Sequence, residues 1–515
     1  METLQHLEGR TDRDRLLFSL PNHVIKQSIS TLLIGLCFSS VAFSNPQLVA
    51  EKVEVFESWV DLLMRKRNLP GISVGLIHQG ELVYAKGFGF ADVEESIPAT
   101  PDTVYSVASV SKPFTSMAIM QLVERGIIDL DASILQIIPE LRALDTPLEE
   151  TEAISLRSLL RHTSGLPTNN SYLLVPSSPV VADQAAILDG LQNQRLLFRP
   201  NQREHYSNLG YSLIGVILER STGDEYADYM AENIFDPLGM TSSYYGRRQE
   251  TNIATGYTQM QNSGRKPVGF VDIGDAIGRP AAGLKASVND LAKFVIWNFN
   301  TRSGEDSTVL NSETLSYMQE IHWAQLGFML PAFLQAGVNK LSNSFDIGGI
   351  GLGFFRDGKS VFHSGGFDGF SAELMLDNEN EIGIIVLANS GDTPTSWGSE
   401  YSISKNLYDM IAPTLIESNA YISSEYAEYR RIYTDYNFFN YFAMPLADRV
   451  DLIDLNLPAP FSSPISLFPL DERDSFYAPN HRGVYEREFN VRFLRDSDSK
   501  INSMQLQTVI LDSPN

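Results

Sequence analysis

The sequence predicts an α+β fold, an antiparallel sheet flanked by helices with a helical subdomain inserted into it. Strand signals at two distant places and a helical stretch between them carry this reading. Residues 72–77 and 82–85 are apolar, β-branched runs joined by His78-Gln79-Gly80-Glu81, a hairpin signal. Residues 370–376 and 382–387 repeat the pattern around Asp377-Asn378-Glu379-Asn380. Between them, residues 114–122 and 209–218 are apolar runs that read as helices. Residues 51–66, with Val53, Phe56, Trp59, Val60 and Leu63 at helical spacing, and residues 400–415 add a helix at either end. Strands from both ends bracketing a helical middle suit one sheet with helices packed on it.

A chain of 515 residues has room for about three average domains. Its hydrophobic content of 43% and charged content of 20% are those of an ordinary globular protein. The net charge of -24 argues against nucleic acid or an anionic membrane surface as a partner, because both repel it. The single cysteine, Cys37, excludes an intramolecular disulfide. It lies in residues 29–43, an apolar run preceded by Lys26 and ending Ala42-Phe43-Ser44. The small residues at the end are those a signal peptidase inspects, and the run is short for a transmembrane span. The expectation is a secretory signal cut after Ser44, hence a secreted or periplasmic protein. A lipoprotein anchor at Cys37 is the alternative, and Leu36 stands where it wants a small residue. Residues 1–25 are long and mixed in charge for a signal, and Val24 would make a shorter start.

Beyond Pro413 the composition changes. Tyr426, Tyr429, Tyr433, Tyr436, Phe438, Phe439, Tyr441 and Phe442 crowd together, and residues 485–493 alternate like a strand. This is a C-terminal module, either a small β-barrel or an irregular extension. The expected organisation is a signal region over 1–44, a main domain over 45–415 and this module over 416–515.

The chemistry starts at Ser109-Val110-Ser111-Lys112, at the head of the 114–122 run. Ser and Lys three apart on a helix share a face. A serine hydroxyl needs a base beside it to act as a nucleophile, and a buried lysine that has lost its proton can be that base. The helix start also offers backbone N–H groups to a developing oxyanion. Tyr206-Ser207-Asn208 precedes the 209–218 run, and His363-Ser364-Gly365-Gly366 precedes the second strand pair. Ser-x-x-Lys, Tyr-x-Asn and a glycine-ended triplet, in this order, resemble the serine β-lactamase and penicillin-binding-protein family in its class C-like branch. Further segments match, among them Leu159-Leu160-Arg161-His162-Thr163-Ser164-Gly165-Leu166-Pro167, so that the resemblance covers roughly residues 50–415.

The resemblance implies the same fold, with the site in a cleft between sheet and helical subdomain. It implies Ser109 as nucleophile, and Lys112 or Tyr206 as the first base. Asn208 would hold Lys112 and bind a substrate amide, and His363, Ser364 and Gly365 would line the substrate. The backbone N–H groups of Ser109 and Gly366 would form the oxyanion hole. His363 departs from the family's usual lysine, and Ser364 from its usual threonine. A weaker cation there disfavours strictly carboxylate-bearing substrates and fits esters, amides or D-amino-acid peptides. A true β-lactamase or D,D-carboxypeptidase, and a non-catalytic binding protein that kept the fold, are the alternatives. His162 and His205 read as loop residues, and Asn201 as a left-handed turn residue. Residues 323–336 are apolar, a cleft wall or simply core. No metal-ligand spacing and no phosphate loop is present, so neither metal nor other cofactor is expected. Oligomeric state is not legible here.

Overall fold

The computed structural model describes residues 46–169, 184–246, 252–261, 264–268, 278–324, 348–367, 369–397, 402–416, 429, 431–434, 440–445, 449–457, 460, 464–470, 473–482, 488–506 and 509–512. The expected signal region, with Cys37 and the cut after Ser44, lies outside them, as do residues 325–336 of the apolar stretch. No helix among the described residues is long and apolar enough to cross a membrane.

The predicted hairpin is β1 (Gly71–His78) and β2 (Glu81–Asp92). Its loop residues Gln79 and Gly80 have φ of 48° and 75°. Two positive φ values match the twist of the flanking strands. Every residue of β1 is buried, as expected where both faces of a strand are covered. The Val288–Ser303 helix packs against it, and β13 (Ile382–Ala388) pairs with its other edge, joining chain segments from opposite ends of the domain. β12 (Phe370–Asp377) and β11 (Ser360–Phe367) continue the antiparallel ladder. The edges are β3 (Ile97–Pro98) on one side and β10 (Phe355–Asp357), β9 (Gly349–Ile350) and β8 (Trp323–Ala324) on the other. The order in this nine-stranded sheet is β3-β2-β1-β13-β12-β11-β10-β9-β8. The first two residues of the apolar stretch at 323 thus serve as an edge strand. Two short pairs, β4 (Tyr105–Ser106) with β7 (Lys285–Ala286) and β5 (Gly256–Tyr257) with β6 (Pro267–Val268), tie down the intervening chain.

Helix α1 (Pro46–Arg67) packs with the Ile403–Ile416 helix, which in turn covers β13. On the opposite side, Leu374 and Leu387 of the sheet join one core with Phe114, Met117, Leu213 and Phe294. Helix α2 (Ser111–Glu124) is buried from Ser111 through Leu122. It is buried on every side because helices surround it, and its polar members Thr115, Ser116 and Gln121 find hydrogen bonds inside.

The C-terminal module is a barrel. β14 (Arg431–Thr434), β15 (Asn440–Pro445), β16 (Val450–Asp454), β17 (Ile465–Pro469), β18 (Ser475–Arg482), β19 (Glu488–Arg495), β20 (Ile501–Leu506) and β21 (Val509–Asp512) close on themselves. Closure runs through Thr434 opposite Asp512 and removes exposed strand edges. Tyr433, Leu452, Leu467, Phe476, Phe493 and Met504 share its core. The aromatic density after Pro413 therefore serves barrel packing, in part through these residues. The Lys66 ammonium of α1 donates to Asn456 Oδ1 at 2.6 Å, just beyond β16.

Candidate active site

The nucleophile's position is set by a strained turn. Ala108 has φ of 48°, a left-handed conformation that costs a non-glycine residue roughly 1 kcal/mol or more. Three hydrogen bonds hold this segment in place. Ser111 Oγ donates to Ala108 O at 2.6 Å and accepts from Leu284 N at 2.9 Å, and Val107 N donates to Leu284 O at 3.1 Å. Ser109 sits within the resulting 3-10 turn, Ala108–Val110, and not on α2 itself as the spacing argument assumed. The i, i+3 relation survives because a 3-10 turn eclipses those positions. Ser109 is half-buried, while Lys112 behind it is fully buried.

Lys112 Nζ lies 3.0 Å from Ser109 Oγ and donates to Ala281 O at 2.7 Å. The rings of Tyr206 and Tyr211 stand 4.7 and 5.4 Å from it. Desolvation pushes the Lys112 pKa well below the usual lysine value, with no carboxylate among the described residues opposing the shift. Tyr206 moves the other way. Tyr206 is half-buried, and desolvation raises the phenol's pKa, with the Ser109 hydroxyl partly opposing. The site thus pairs a lysine disposed to be neutral with a tyrosine disposed to keep its proton.

Tyr206 is carried by a loop templated by another. Leu197, Asn201 and His205 donate backbone N–H groups to the carbonyls of Gly165, Thr163 and His162 at 2.8, 2.7 and 2.7 Å. Asn201 has φ of 63°, the left-handed turn its residue type suggested. Ser207 then caps the Asn208–Thr222 helix by accepting from Gly210 N at 2.9 Å. Asn208, at the first turn, donates to Asn169 Oδ1 at 2.9 Å, and its own Oδ1 has no hydrogen-bond partner among the described residues. The hydrogen bonds of Lys112 go to Ser109 and Ala281, so the proposed hold of Asn208 on Lys112 is not among them. His205 pairs with the Thr168 hydroxyl at 3.1 Å, as a loop residue would.

β11 forms the opposite wall. β10 pairs with it only over residues 360–362, which leaves 363–367 without a strand on that side among the described residues. Gly365 is there because nothing larger fits: a Cβ would lie 2.1 Å from Val107 O and 3.2 Å from Ser109 N. A Cβ on Gly366 would meet nothing within 4 Å, so its backbone borders open space. His363 shares the sheet face of core residue Leu374, its cross-strand neighbour. Alternation sends Ser364 to the other face, where it donates to Ser396 Oγ at 3.3 Å and lies across the ladder from the buried Glu373. Burial pushes the Glu373 carboxyl well above its usual pKa; the Ser364 hydroxyl and Trp397 backbone oppose this without completing a hydrogen bond.

His363 is buried, and desolvation, with a smaller contribution whenever Lys112 is protonated, lowers its pKa to about 3. A cationic role between about pH 5 and 9 is thereby removed. Its Nδ1 lies 2.7 Å from Ser364 O, a group that only accepts. The hydrogen-bond network therefore assigns the proton to Nδ1 and leaves Nε2 as an acceptor. His162 takes the opposite tautomer: its Nδ1 accepts from Ser207 N at 3.1 Å, leaving the proton on Nε2. Sequence reasoning did not anticipate the two tautomers, since each depends on a backbone group placed by folding.

A family model described as Beta-lactamase matches residues 56–402. The chain belongs to the β-lactamase family. Among relatives, Protein flp of Staphylococcus aureus (strain NCTC 8325 / PS 47) is 26% identical over 355 residues, 67% of this chain and 64% of its own length. Penicillin-binding protein 4* of Bacillus subtilis (strain 168) is 35% identical over 173 residues, 33% of this chain and 37% of that one. The octameric penicillin-binding protein homologue from Pyrococcus abyssi is 24% identical with a TM-score of 0.57, covering 89% of this chain and all but 1% of that chain, of which 99% aligns. That last likeness is one of fold.

Proposed function

We propose that the protein is a serine hydrolase that forms an acyl-enzyme at Ser109 on an ester, amide or D-amino-acid peptide. The observation that carries this is Ser109 Oγ at 3.0 Å from a buried Lys112 with no carboxylate among the described residues to keep it charged. Neutral Lys112 takes the Ser109 proton as Oγ attacks the substrate carbonyl. The electron pair displaced onto the carbonyl oxygen is received by the backbone N–H groups of Ser109 and Gly366. As the tetrahedral intermediate collapses, the bond to the leaving group breaks and Tyr206 supplies its proton, Lys112 replenishing the phenol. Water then repeats the sequence on the acyl-enzyme and releases the acid. The opposed pKa directions favour Lys112 over Tyr206 as first base.

The acceptor tautomer of His363 supports a substrate bearing an N–H or O–H beside the scissile carbonyl, not a carboxylate. This disfavours the β-lactamase and D,D-carboxypeptidase alternatives. Intact mass after incubation with a fluorophosphonate tests the main reading. A single adduct is expected on wild type and none on Ser109→Ala. An unmodified wild type, or an adduct that persists in the variant, refutes it.

A further inference from the structure

His162 is a buried titratable group outside the proton-transfer set. It is 2% exposed and adopts φ of 60°, a left-handed conformation that histidine visits more readily than most residues. Both neighbours of Tyr206 are tied to this one residue. The N–H of His205 donates to His162 O at 2.7 Å, and the N–H of Ser207 donates to His162 Nδ1 at 3.1 Å. The Tyr206 ring lies against the imidazole, with centroids 4.3 Å apart. Tyr211, itself fixed by donating to Leu160 O at 2.9 Å, backs the imidazole at 5.2 Å. Main chain on both sides of Tyr206 and the face of its ring are thus constrained from one point.

We propose that His162 is a positioning residue for Tyr206, aiming the phenol at the Ser109 hydroxyl and at the leaving group of a bound ester or amide. This rests on the reading of Tyr206 as the proton donor above. The acceptor at Nδ1 and the left-handed backbone are both required, which explains a histidine at a place where glycine would satisfy the backbone alone. Desolvation keeps the imidazole neutral and so keeps Nδ1 an acceptor.

The test compares two substrates that differ in their need for a proton donor: a p-nitrophenyl ester, whose leaving group departs unaided, and the matching ethyl ester. His162→Gly keeps the backbone conformation and removes acceptor and ring. His162→Asn keeps the conformation and an acceptor at nearly the same place. Tyr206→Phe is the reference. Both His162→Gly and Tyr206→Phe are expected to lose kcat about 10- to 100-fold more on the ethyl ester than on the p-nitrophenyl ester. KM should change little, and His162→Asn should recover most of the loss. If His162→Gly does not fold, His162→Leu, with similar bulk and no acceptor, must show the same selectivity. Equal losses on both esters, or no rescue by asparagine, overturn the role of His162 while Tyr206→Phe still shows the leaving-group effect. Absence of that effect in Tyr206→Phe refutes the Tyr206 reading and this proposal with it.

Discussion

Replacing Lys112 with methionine should stabilise the fold while abolishing acylation. An unfolded lysine titrates near about 10.4, so holding it neutral at pH 7 costs about 5 kcal/mol. Lys112 recovers part of this through its bonds to Ser109 and Ala281, worth about 1 kcal/mol each. Methionine fills a similar volume and avoids the deprotonation cost. It leaves the Ala281 carbonyl without its donor, which costs about 1–3 kcal/mol. The net expectation is a gain of about 0–2 kcal/mol at pH 7. The pH dependence follows from linkage. Above the lowered folded pKa and below about 10.4, the unfolded wild type holds a proton that the folded protein lacks, so wild-type stability rises with pH at about 1.4 kcal/mol per unit. The methionine variant lacks this slope. Urea denaturation of both proteins at about pH 7, 8 and 9 should show the advantage of Lys112→Met shrinking by about 1.4 kcal/mol per unit. A gap that does not change with pH would mean that Lys112 stays protonated in the fold and cannot be the base.

Gly365→Ala should push β11 away from the nucleophile, because the new Cβ would sit 2.1 Å from Val107 O. A loss of acylation rate of about 100-fold or more, with a fall in stability of roughly 1–3 kcal/mol, is expected; wild-type acylation in stopped-flow would refute the close approach. His363, with its pKa lowered to about 3, stays neutral at working pH. A neutral ester and an anionic amide should therefore show the same pH profile between about pH 5 and 9, and His363→Lys should raise kcat/KM for the anionic amide alone. A chain ending near residue 416 should still acylate Ser109 but melt earlier, since removing the barrel takes away the Lys66–Asn456 contact and uncovers the α1 surface around Trp59 and Leu62. A folded truncation that no longer acylates would show that the barrel supplies part of the site.

Wherever the physics is local, the chain declares its structure. Apolar periodicity marks α1, α2 and the Asn208–Thr222 helix. Gln79-Gly80 marks its hairpin, and Asn201 its left-handed turn, because only a few residue types tolerate those backbone angles. Ser109 and Lys112 are three apart, and three apart suffices for contact on a helix or on a 3-10 turn. Proton positions are not local in this sense. Lys112 loses affinity for its proton because Tyr206, Tyr211 and Ala281, from two other segments, wall it off from water. His363 becomes an acceptor because it is buried near Lys112 with the Ser364 carbonyl at its Nδ1. Gly365 reads as a motif residue, but its necessity is the Val107 carbonyl across the cleft. The pairing of β1 with β13 and the closure of β14 on β21 likewise join segments far apart in the chain. Residue types and spacings determine which groups can do the chemistry. Desolvation and charge fields depend on everything packed around a group, so only the tertiary structure decides which of them hold a proton.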